Sequence, residues 1–238
     1  MRNDVLMGIL RRGLIVMLAA GAVALLSGVA PAGAADTITA NKDCCAFDAG
    51  PYSQDLGEIP TFSNPEVADA PHNVTATAKG PDRGPLFRST TIGAGNSTPV
   101  AGAQYLGAGT YPFFCTLHGP SMSGELTVQG DKGTVVDRPS IRVSVLAQRL
   151  KKVRKSGRLK VRVKANTKSP GIRISARRGK KALTSASKLS LAAGVSRTVK
   201  LKLSRAGKKA LAKGRKVGIS ANGTVAFGKP SFSKRTLR

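Results

Sequence analysis

The soft metal-binding donors of the chain concentrate in one short stretch, Cys115-Thr-Leu-His118-Gly-Pro-Ser-Met122. The whole chain has only three cysteines, two histidines and four methionines. A thiolate, an imidazole and a thioether suit copper, whereas magnesium and calcium prefer oxygen ligands. The second histidine, His72, lies upstream. Two imidazoles, one thiolate and a weak thioether are the ligand set of a blue-copper electron-transfer site.

The residues before the cysteine indicate how its sulfur is positioned. Tyr111, Phe113 and Cys115 alternate with other residues, so on a strand they share one face. We expect the two rings to fill a core while the sulfur points at a metal from the strand end. The next two residues then turn the chain so that His118 reaches the same ion. The alternative is a small β-domain with a buried thiol, a surface histidine and a core methionine.

Two segments together resemble the plastocyanin/pseudoazurin branch of the cupredoxins. One is His72-Asn-Val. The other is Tyr111-x-Phe-x-Cys-x-x-His118, followed by a methionine, a glycine and a last strand. The resemblance covers about 90 residues within the first half of the chain, and its specific motifs occupy these two short stretches. It implies a Greek-key β-sandwich that holds one type 1 copper ion.

The resemblance also implies a role for each residue of the site. His72, Cys115 and His118 form the trigonal plane of copper ligands, and Met122 makes the axial contact. Asn73 ties the two ligand loops together by hydrogen bonds, and such outer contacts fix the geometry and potential of a metal site. His118 is the partly exposed histidine through which electrons leave.

The histidine count separates this chain from the copper enzymes. Multicopper oxidases and copper nitrite reductases need several further histidines, whereas this chain has two. Cys115 as a nucleophile with His118 as its base is conceivable, but one short loop that ends in methionine favours a shared metal. We predict an electron carrier that is not an enzyme. The alternatives are a copper storage or delivery protein without a redox partner, and an envelope-binding module with a passive cupredoxin domain.

Residues 1–35 have the composition of a signal peptide. Arginines precede an apolar run, and Ala32-Gly33-Ala34 offers a small-x-small cleavage site. We therefore expect an exported, extracytoplasmic protein that is secreted, periplasmic or associated with the cell surface. An uncleaved membrane anchor is the alternative, because the apolar run approaches the length that spans a bilayer.

The charge of the chain changes abruptly near residue 130. Residues 36–130 hold four basic and nine acidic residues, for a net charge of −5, whereas residues 131–238 hold 32 basic and two acidic residues, for a net charge of +30. Glycine, aspartate and proline at the junction are turn residues. We predict a cupredoxin copper-binding domain over 36–130 that folds alone, a linker over 131–139 and a basic β-sandwich over 140–238.

Strict alternation of apolar and basic residues characterises the second domain, most clearly in Arg158–Lys164. Several such segments at near-regular spacing predict an antiparallel, immunoglobulin-like β-sandwich, and a helical turn is predicted at Arg205–Lys213. The stretch Leu203–Lys213 resembles the basic β-sandwich modules of secreted actinobacterial proteins. The predicted fold class of the whole chain is therefore all-β.

The charge of the second domain predicts salt-dependent attraction to polyanions. Export favours an anionic cell-envelope polymer or a membrane surface as the partner over nucleic acid, and no zinc-finger or recognition-helix pattern is visible. The alternative is a solvated face of lysines and arginines with no particular ligand. The electron-carrier prediction also requires a redox partner protein, which the sequence does not name.

The first domain is predicted to consist of short strands. Three of them are Thr37–Ala40, Thr61–Asn64 and Asn73–Ala78. Asp43–Pro60 is rich in turn residues and is predicted as a long loop that contains the adjacent Cys44 and Cys45. A vicinal disulfide, two free thiols and a second copper-loading site are the alternatives for this pair. An exposed or half-buried pair without a metal is favoured, because no further ligands stand beside it.

Overall fold

The computed structural model describes residues 35–42, 45–67 and 70–238. Apart from Ala35, the predicted signal segment lies outside these residues, and so does Cys44. Within the described ranges, no helix is both long and apolar enough to cross a membrane. The described residues form two β-sandwiches that follow one another along the chain.

The first sandwich uses short strands and one long hairpin. Its strands in the described residues are β1 (Thr37–Thr39), β2 (Tyr52–Leu56), β3 (Thr61–Asn64), β4 (Thr75–Ala76), β5 (Asn96–Pro99), β6 (Gly109–Cys115) and β7 (Gly119–Gly133). One sheet has the order β1-β3-β5 and the other β2-β7-β6-β4. β1 pairs with β3 and β2 with β7 in parallel, and the remaining pairs are antiparallel.

Alternating apolar residues explain why β6 and β7 line the core of this sandwich. β6 buries Phe113 and Cys115, and β7 buries Leu126, while Phe62 reaches the same core from the opposite sheet. Phe113 pairs in register with Gly124, where an added Cβ would lie 2.6 Å from the ring. The glycine therefore makes room for the large side chain that closes the core below the strand end.

The second sandwich adds two short helices to its strands. Its elements are β8 (Ile141–Val145), α1 (Leu150–Ser156), β9 (Arg158–Ala165), β10 (Ser169–Arg178), β11 (Lys181–Ala182), β12 (Ser187–Leu191), β13 (Ser196–Lys202), α2 (Arg205–Ala212), β14 (Val217–Thr224) and β15 (Ser231–Leu237). One sheet has the order β13-β9-β8. The other has the order β11-β10-β14-β15, and β12 also pairs with β10. Every pair is antiparallel.

β9 shows how the sequence pattern produces this sandwich. Leu159, Val161 and Val163 are fully buried, and the four basic residues that alternate with them are exposed. The period of two in the sequence thus becomes one apolar and one cationic face. The prediction of an all-β chain with an antiparallel second sandwich is confirmed.

The prediction that Asp43–Pro60 is a loop is wrong over Tyr52–Leu56. This segment is β2, which pairs in parallel with β7. It lacks the usual apolar alternation because Gln54 and Asp55 are both buried. Gln54 donates a hydrogen bond to the carbonyl of Ala103 (3.1 Å), so the strand buries a polar side chain that bonds across the fold instead of an apolar one.

Two further boundaries differ from the sequence-based expectation. β7 begins at Gly119, so Met122 lies within the last strand and not before it. β7 also continues to Gly133, inside the segment predicted as a linker, and the N–H of Thr134 donates to the carbonyl of Leu56 (3.1 Å). Parallel pairing with β2 extends the strand, and no local sequence signal reports such a distant partner.

The two sandwiches have separate hydrophobic cores, formed by residues 38–128 and 141–237. They meet at Phe227, whose ring stacks at a tilt on Tyr105 with 6.1 Å between the ring centroids. The Arg88 guanidinium lies 4.8 Å from the centre of the Phe227 ring. The Phe227 N–H donates to Oδ2 of Asp82 (2.9 Å). Independent folding of residues 36–130 stays a prediction, because this contact buries side chains of both sandwiches.

Replacing Phe227 by Ala tests how much this contact stabilises the first sandwich. The ring is 9 % exposed, and truncating a buried Phe typically costs about 3 kcal/mol or more. All three tyrosines lie within residues 36–130 and the chain has no tryptophan, so tyrosine fluorescence reports unfolding of the first sandwich alone. We expect F227A to lower the tyrosine-monitored Tm by several degrees.

The matched control is Phe232→Ala, in the same sandwich but 68 % exposed, which should leave that Tm within about 1 °C. Equal shifts in the two variants, or no shift in F227A, would show that the contact does not support the first sandwich.

Candidate metal centre

A tight turn carries the downstream part of the site. Cys115 is the last residue of β6, and the N–H of His118 donates back to the Cys115 carbonyl (3.3 Å). Gly119 has φ +66°, a conformation that favours glycine, and it opens β7. The Ser121 hydroxyl donates to the His118 carbonyl (2.7 Å). The chain thus reverses between the thiol and the imidazole, which brings both side chains to one end of the sandwich.

The upstream histidine is held by its backbone. His72 and Ile92 exchange two hydrogen bonds of 3.0 Å each. Asn64, which is fully buried, donates from Nδ2 to the carbonyls of Ala70 (3.0 Å) and Ile92 (3.1 Å). Sequence reasoning did not single out Asn64. A polar residue at the end of a predicted strand, before Pro65, is the only signal that pointed to it.

Three predicted ligands converge in the structure. The donor atoms of His72, Cys115 and His118 all lie within 4.8 Å of one another. Cys115 Sγ is 4.0 Å from His72 Nδ1, and the two imidazole centroids are 4.8 Å apart. His72 and Cys115 are fully buried, whereas His118 is half-buried. Among the described residues, this is the group of His, Cys, Asp or Glu side chains that can hold a metal ion.

The ring nitrogens of the site fit a metal better than a hydrogen-bond network. His118 Nδ1 is buried and has no hydrogen-bond partner in the described part of the chain, and His72 Nδ1 lies 4.0 Å from Cys115 Sγ. An unsatisfied buried polar atom costs free energy, so such atoms call for an explanation. Burial, with a smaller contribution from the nearby His118, lowers the pKa of His72. The lowered pKa favours the neutral imidazole, which is the form that binds metals.

Met122 stands beside this group in the strand pairing. Cys115 pairs with Gly119, and Phe114 with Ser123, so a register irregularity separates the two pairs. Met122 falls in that irregularity, directly before the partner of Phe114. Its side chain is fully buried in the same apolar core as Cys115. The irregular pairing gives the methionine a position next to the thiol-bearing strand end.

Asn73 joins the two segments that carry the histidines and the cysteine. Its Nδ2 donates to Thr116 Oγ1 (2.8 Å) and to Thr91 Oγ1 (3.0 Å). Its Oδ1 accepts from the N–H of Thr116 (3.0 Å) and from Thr75 Oγ1 (3.2 Å). Four hydrogen bonds therefore satisfy one nearly buried amide and fix the residue after Cys115 to the residue after His72. The threonines were not among the predicted site residues.

Aromatic rings fill the sandwich beneath the site. Phe113 packs edge-to-face on Phe47, with 5.0 Å between centroids, and on Phe87 at 6.4 Å, while Tyr52 lies 6.1 Å away. Edge-to-face pairs at such distances add to the stabilisation from burial. The rings thus bury the strand end that carries Cys115 in an apolar core.

The cysteine pair upstream is less fully described. Cys45 is exposed and has φ +65°, whereas Cys44 lies outside the described residues. The described metal-ligand group does not include Cys45. A second copper site at this pair, and the disulfide and free-thiol alternatives, therefore remain untested predictions.

Comparison with known proteins gives partial structural likeness. No protein-family model matches the chain, and no curated protein matches its sequence. Auracyanin A, a "blue" copper protein from Chloroflexus aurantiacus, is 22 % identical over 41 % of this chain and 100 % of its own, with a TM-score of 0.32. Dithionite-reduced auracyanin from Roseiflexus castenholzii is 21 % identical over 41 % of this chain and 99 % of its own, with a TM-score of 0.31.

A longer match is a DUF3823 family protein from Bacteroides ovatus. It is 14 % identical over 71 % of this chain and 88 % of its own, with a TM-score of 0.30. At these identities and scores the likeness does not assign chemistry. The side chains of His72, Cys115 and His118, and not these neighbours, indicate a candidate metal centre.

Asn73→Ala tests whether this amide stabilises the site. The change leaves the Thr116 N–H without its acceptor, and an unsatisfied buried group typically costs about 1–3 kcal/mol. We expect a loss of that size in the free energy of unfolding of the metal-free protein, measured with urea. Asn96→Ala removes an exposed amide whose hydrogen bonds within the described residues go to the nearby carbonyls of Gly93 and Ala94, and should change the free energy by less than about 0.5 kcal/mol. Equal effects would contradict the assigned role.

Proposed function

We propose that the protein is an exported blue-copper electron carrier. His72, Cys115 and His118 would hold one copper ion, with Met122 as the weak axial ligand. The observation that carries the proposal is the convergence of a fully buried thiol and two imidazoles within 4.8 Å. The signal-like composition of residues 1–35 supports export.

Zinc is the main competitor for this site, because it also takes cysteine and histidine ligands in tetrahedral sites. A buried thioether beside the thiol favours copper, since soft sulfur ligands suit both copper oxidation states. Among the described residues, no aspartate or glutamate, which would favour harder ions, belongs to the ligand group. Met122 is therefore the residue that discriminates between the metals.

Electron transfer is supported by the way the ligands are held. Hydrogen bonds of Asn73 and Asn64 fix both ligand segments without the help of a metal. Ligands fixed in this way need little rearrangement when the bound ion gains or loses one electron. His118 is half-buried and adjoins Leu117, which is 53 % exposed, so the ring gives an electron a short route to a partner protein.

A carrier also fits better than an enzyme. Both histidines of the chain belong to this one site, so none is left to form a separate substrate-binding copper. A copper storage or delivery protein would use the same ligands, but it would differ from an electron carrier in its redox behaviour and its rate of copper exchange. A carrier gives a reversible one-electron wave in voltammetry and releases copper slowly to a chelator, whereas a delivery protein exchanges copper quickly.

Copper loading provides the first test. The protein is expected to bind one copper per chain and to show an intense visible band from thiolate-to-copper charge transfer. Cys115→Ser removes the thiolate and should abolish the band. Cys45→Ser, at an exposed thiol, is the matched control and should keep it. A wild-type protein that stays colourless with Cu(II) under non-reducing conditions would rule out the blue-copper assignment.

Met122→Leu tests the axial ligand. The swap conserves volume and should cost less than about 1.5 kcal/mol of stability. We expect the visible band to persist and the reduction potential to rise, because the leucine offers no sulfur to the oxidised ion. Leu126→Met, in the same strand and equally buried, is the control and should leave the potential unchanged. If M122L leaves the potential where it was, Met122 is a core residue only.

A further inference from the structure

A basic cleft lies in the second sandwich, away from the metal centre. Its volume is about 1000 Å³. The turn between β10 and β11 forms one wall and α2 forms the other. The lining residues are Arg178, Gly179, Lys180, Lys181, Ala206, Lys209, Ala210 and Lys213. Five of these eight residues are cationic, and none is acidic.

The two walls of the cleft are held rigidly. Ser204 caps α2 by accepting a hydrogen bond from the Gly207 N–H (2.9 Å). Gly207 lets the helix approach the sheet, because an added Cβ would lie 2.1 Å from the Leu183 carbonyl oxygen. Lys209 lies in the last turn of α2, and Lys213 is the extended residue directly after its end. Both line the cleft on the side of the helix.

Two arginines donate hydrogen bonds to the carbonyls at the C-terminal end of α2, which would otherwise repel an anion. The carbonyls at the C-terminal end of a helix carry partial negative charge. Arg178 donates to the Ala210 carbonyl. Arg154 donates from Nε to the Leu211 carbonyl (2.6 Å) and from Nη2 to the Gly214 carbonyl (2.6 Å). The last turn of α2 thus meets guanidinium groups, and the field within the cleft stays positive.

The surrounding sequence offers these cations no internal counter-charge. No aspartate or glutamate follows Asp137, whereas 31 lysines and arginines do. Like charges so concentrated repel one another and attract mobile or polymeric anions. When cationic side chains face one another across a cleft, an anion that lies between them gives the largest electrostatic stabilisation.

We propose that this cleft binds a segment of a linear, phosphate-bearing polymer. Lys181, Lys209 and Lys213 would contact successive phosphates, because lysine acts as a mobile point charge toward phosphate. A concave cleft accepts a chain between its two walls, whereas a flat lipid headgroup surface meets protruding side chains first. The proposal does not depend on copper binding.

The test measures binding of end-labelled inorganic polyphosphate to the full-length protein by fluorescence anisotropy. The cleft variant is Lys181→Gln/Lys209→Gln/Lys213→Gln. The control variant is Lys160→Gln/Lys164→Gln/Lys200→Gln, which removes the same charge from the exposed face of β9 and β13. Circular dichroism and Tm establish that both variants are folded.

We expect the cleft variant to bind at least about tenfold more weakly than wild type at 50 mM salt, and the control variant less than about threefold. The slope of log affinity against log salt should fall by about one for each lysine that contacts a phosphate, in the cleft variant only. Cys115→Ser should bind like wild type, which separates this result from the fate of the copper site.

Three outcomes overturn the proposal. Equal losses in the two triple variants would mean that the charge acts diffusely over the sandwich. No measurable binding of polyphosphate by the wild type would mean that the cleft is solvated surface only. Binding to vesicles of anionic phospholipid that needs the cleft lysines and is not displaced by polyphosphate would assign the site to a membrane surface.

Discussion

The arrangement of the candidate metal ligands depends on the hydrogen bonds between Asn73 and Thr116. They join a loop that follows β3 to the end of β6, across 43 residues of chain. His72 precedes one partner and Cys115 precedes the other, so the pair sets the distance between the imidazole and the thiol. Without it, His72 would keep its two backbone hydrogen bonds to Ile92, but its segment would lose these bonds to the residue after Cys115.

The sequence predicted the local half of this site well. Cys115 and His118 are separated by one turn, and alternation with Phe113 placed the sulfur inside the sandwich, as the structure has it. That His72 joins Cys115 could be predicted only from a known motif, because no local sequence pattern relates the two residues. Asn64 and the threonine partners of Asn73 were missed, since their role appears only when separate loops meet. Hydrogen bonding across loops leaves little pattern in a single sequence.

The contrast between local patterns and contacts of distant segments also explains which strands and helices could be predicted. Strands with apolar alternation, such as β9, were predicted with their faces. β2 was missed for two reasons. Its partner β7 lies far away in the sequence, and it buries the polar residues Gln54 and Asp55, so it shows no apolar alternation. α1 was missed because five of the residues at 150–156 are polar and its apolar contacts come from Leu150 and Val153 alone. Tertiary packing overrides weak propensity in each case.

The charge distribution limits how the two sandwiches can meet. Residues 138–238 contain no carboxylate side chain, so every side-chain ion pair across the contact must use an acid from the first half. At Phe227 the first sandwich offers Asp82, whose carboxylate accepts the Phe227 N–H. The Arg138 guanidinium lies 5.7 Å from the centre of the Tyr105 ring and is attracted by Asp82. Ring stacking, this hydrogen bond and Arg138 make the contact, and most of the basic face is not neutralised by it. The cations of the second sandwich consequently keep their attraction for an external anion, while the cores of both halves remain separate.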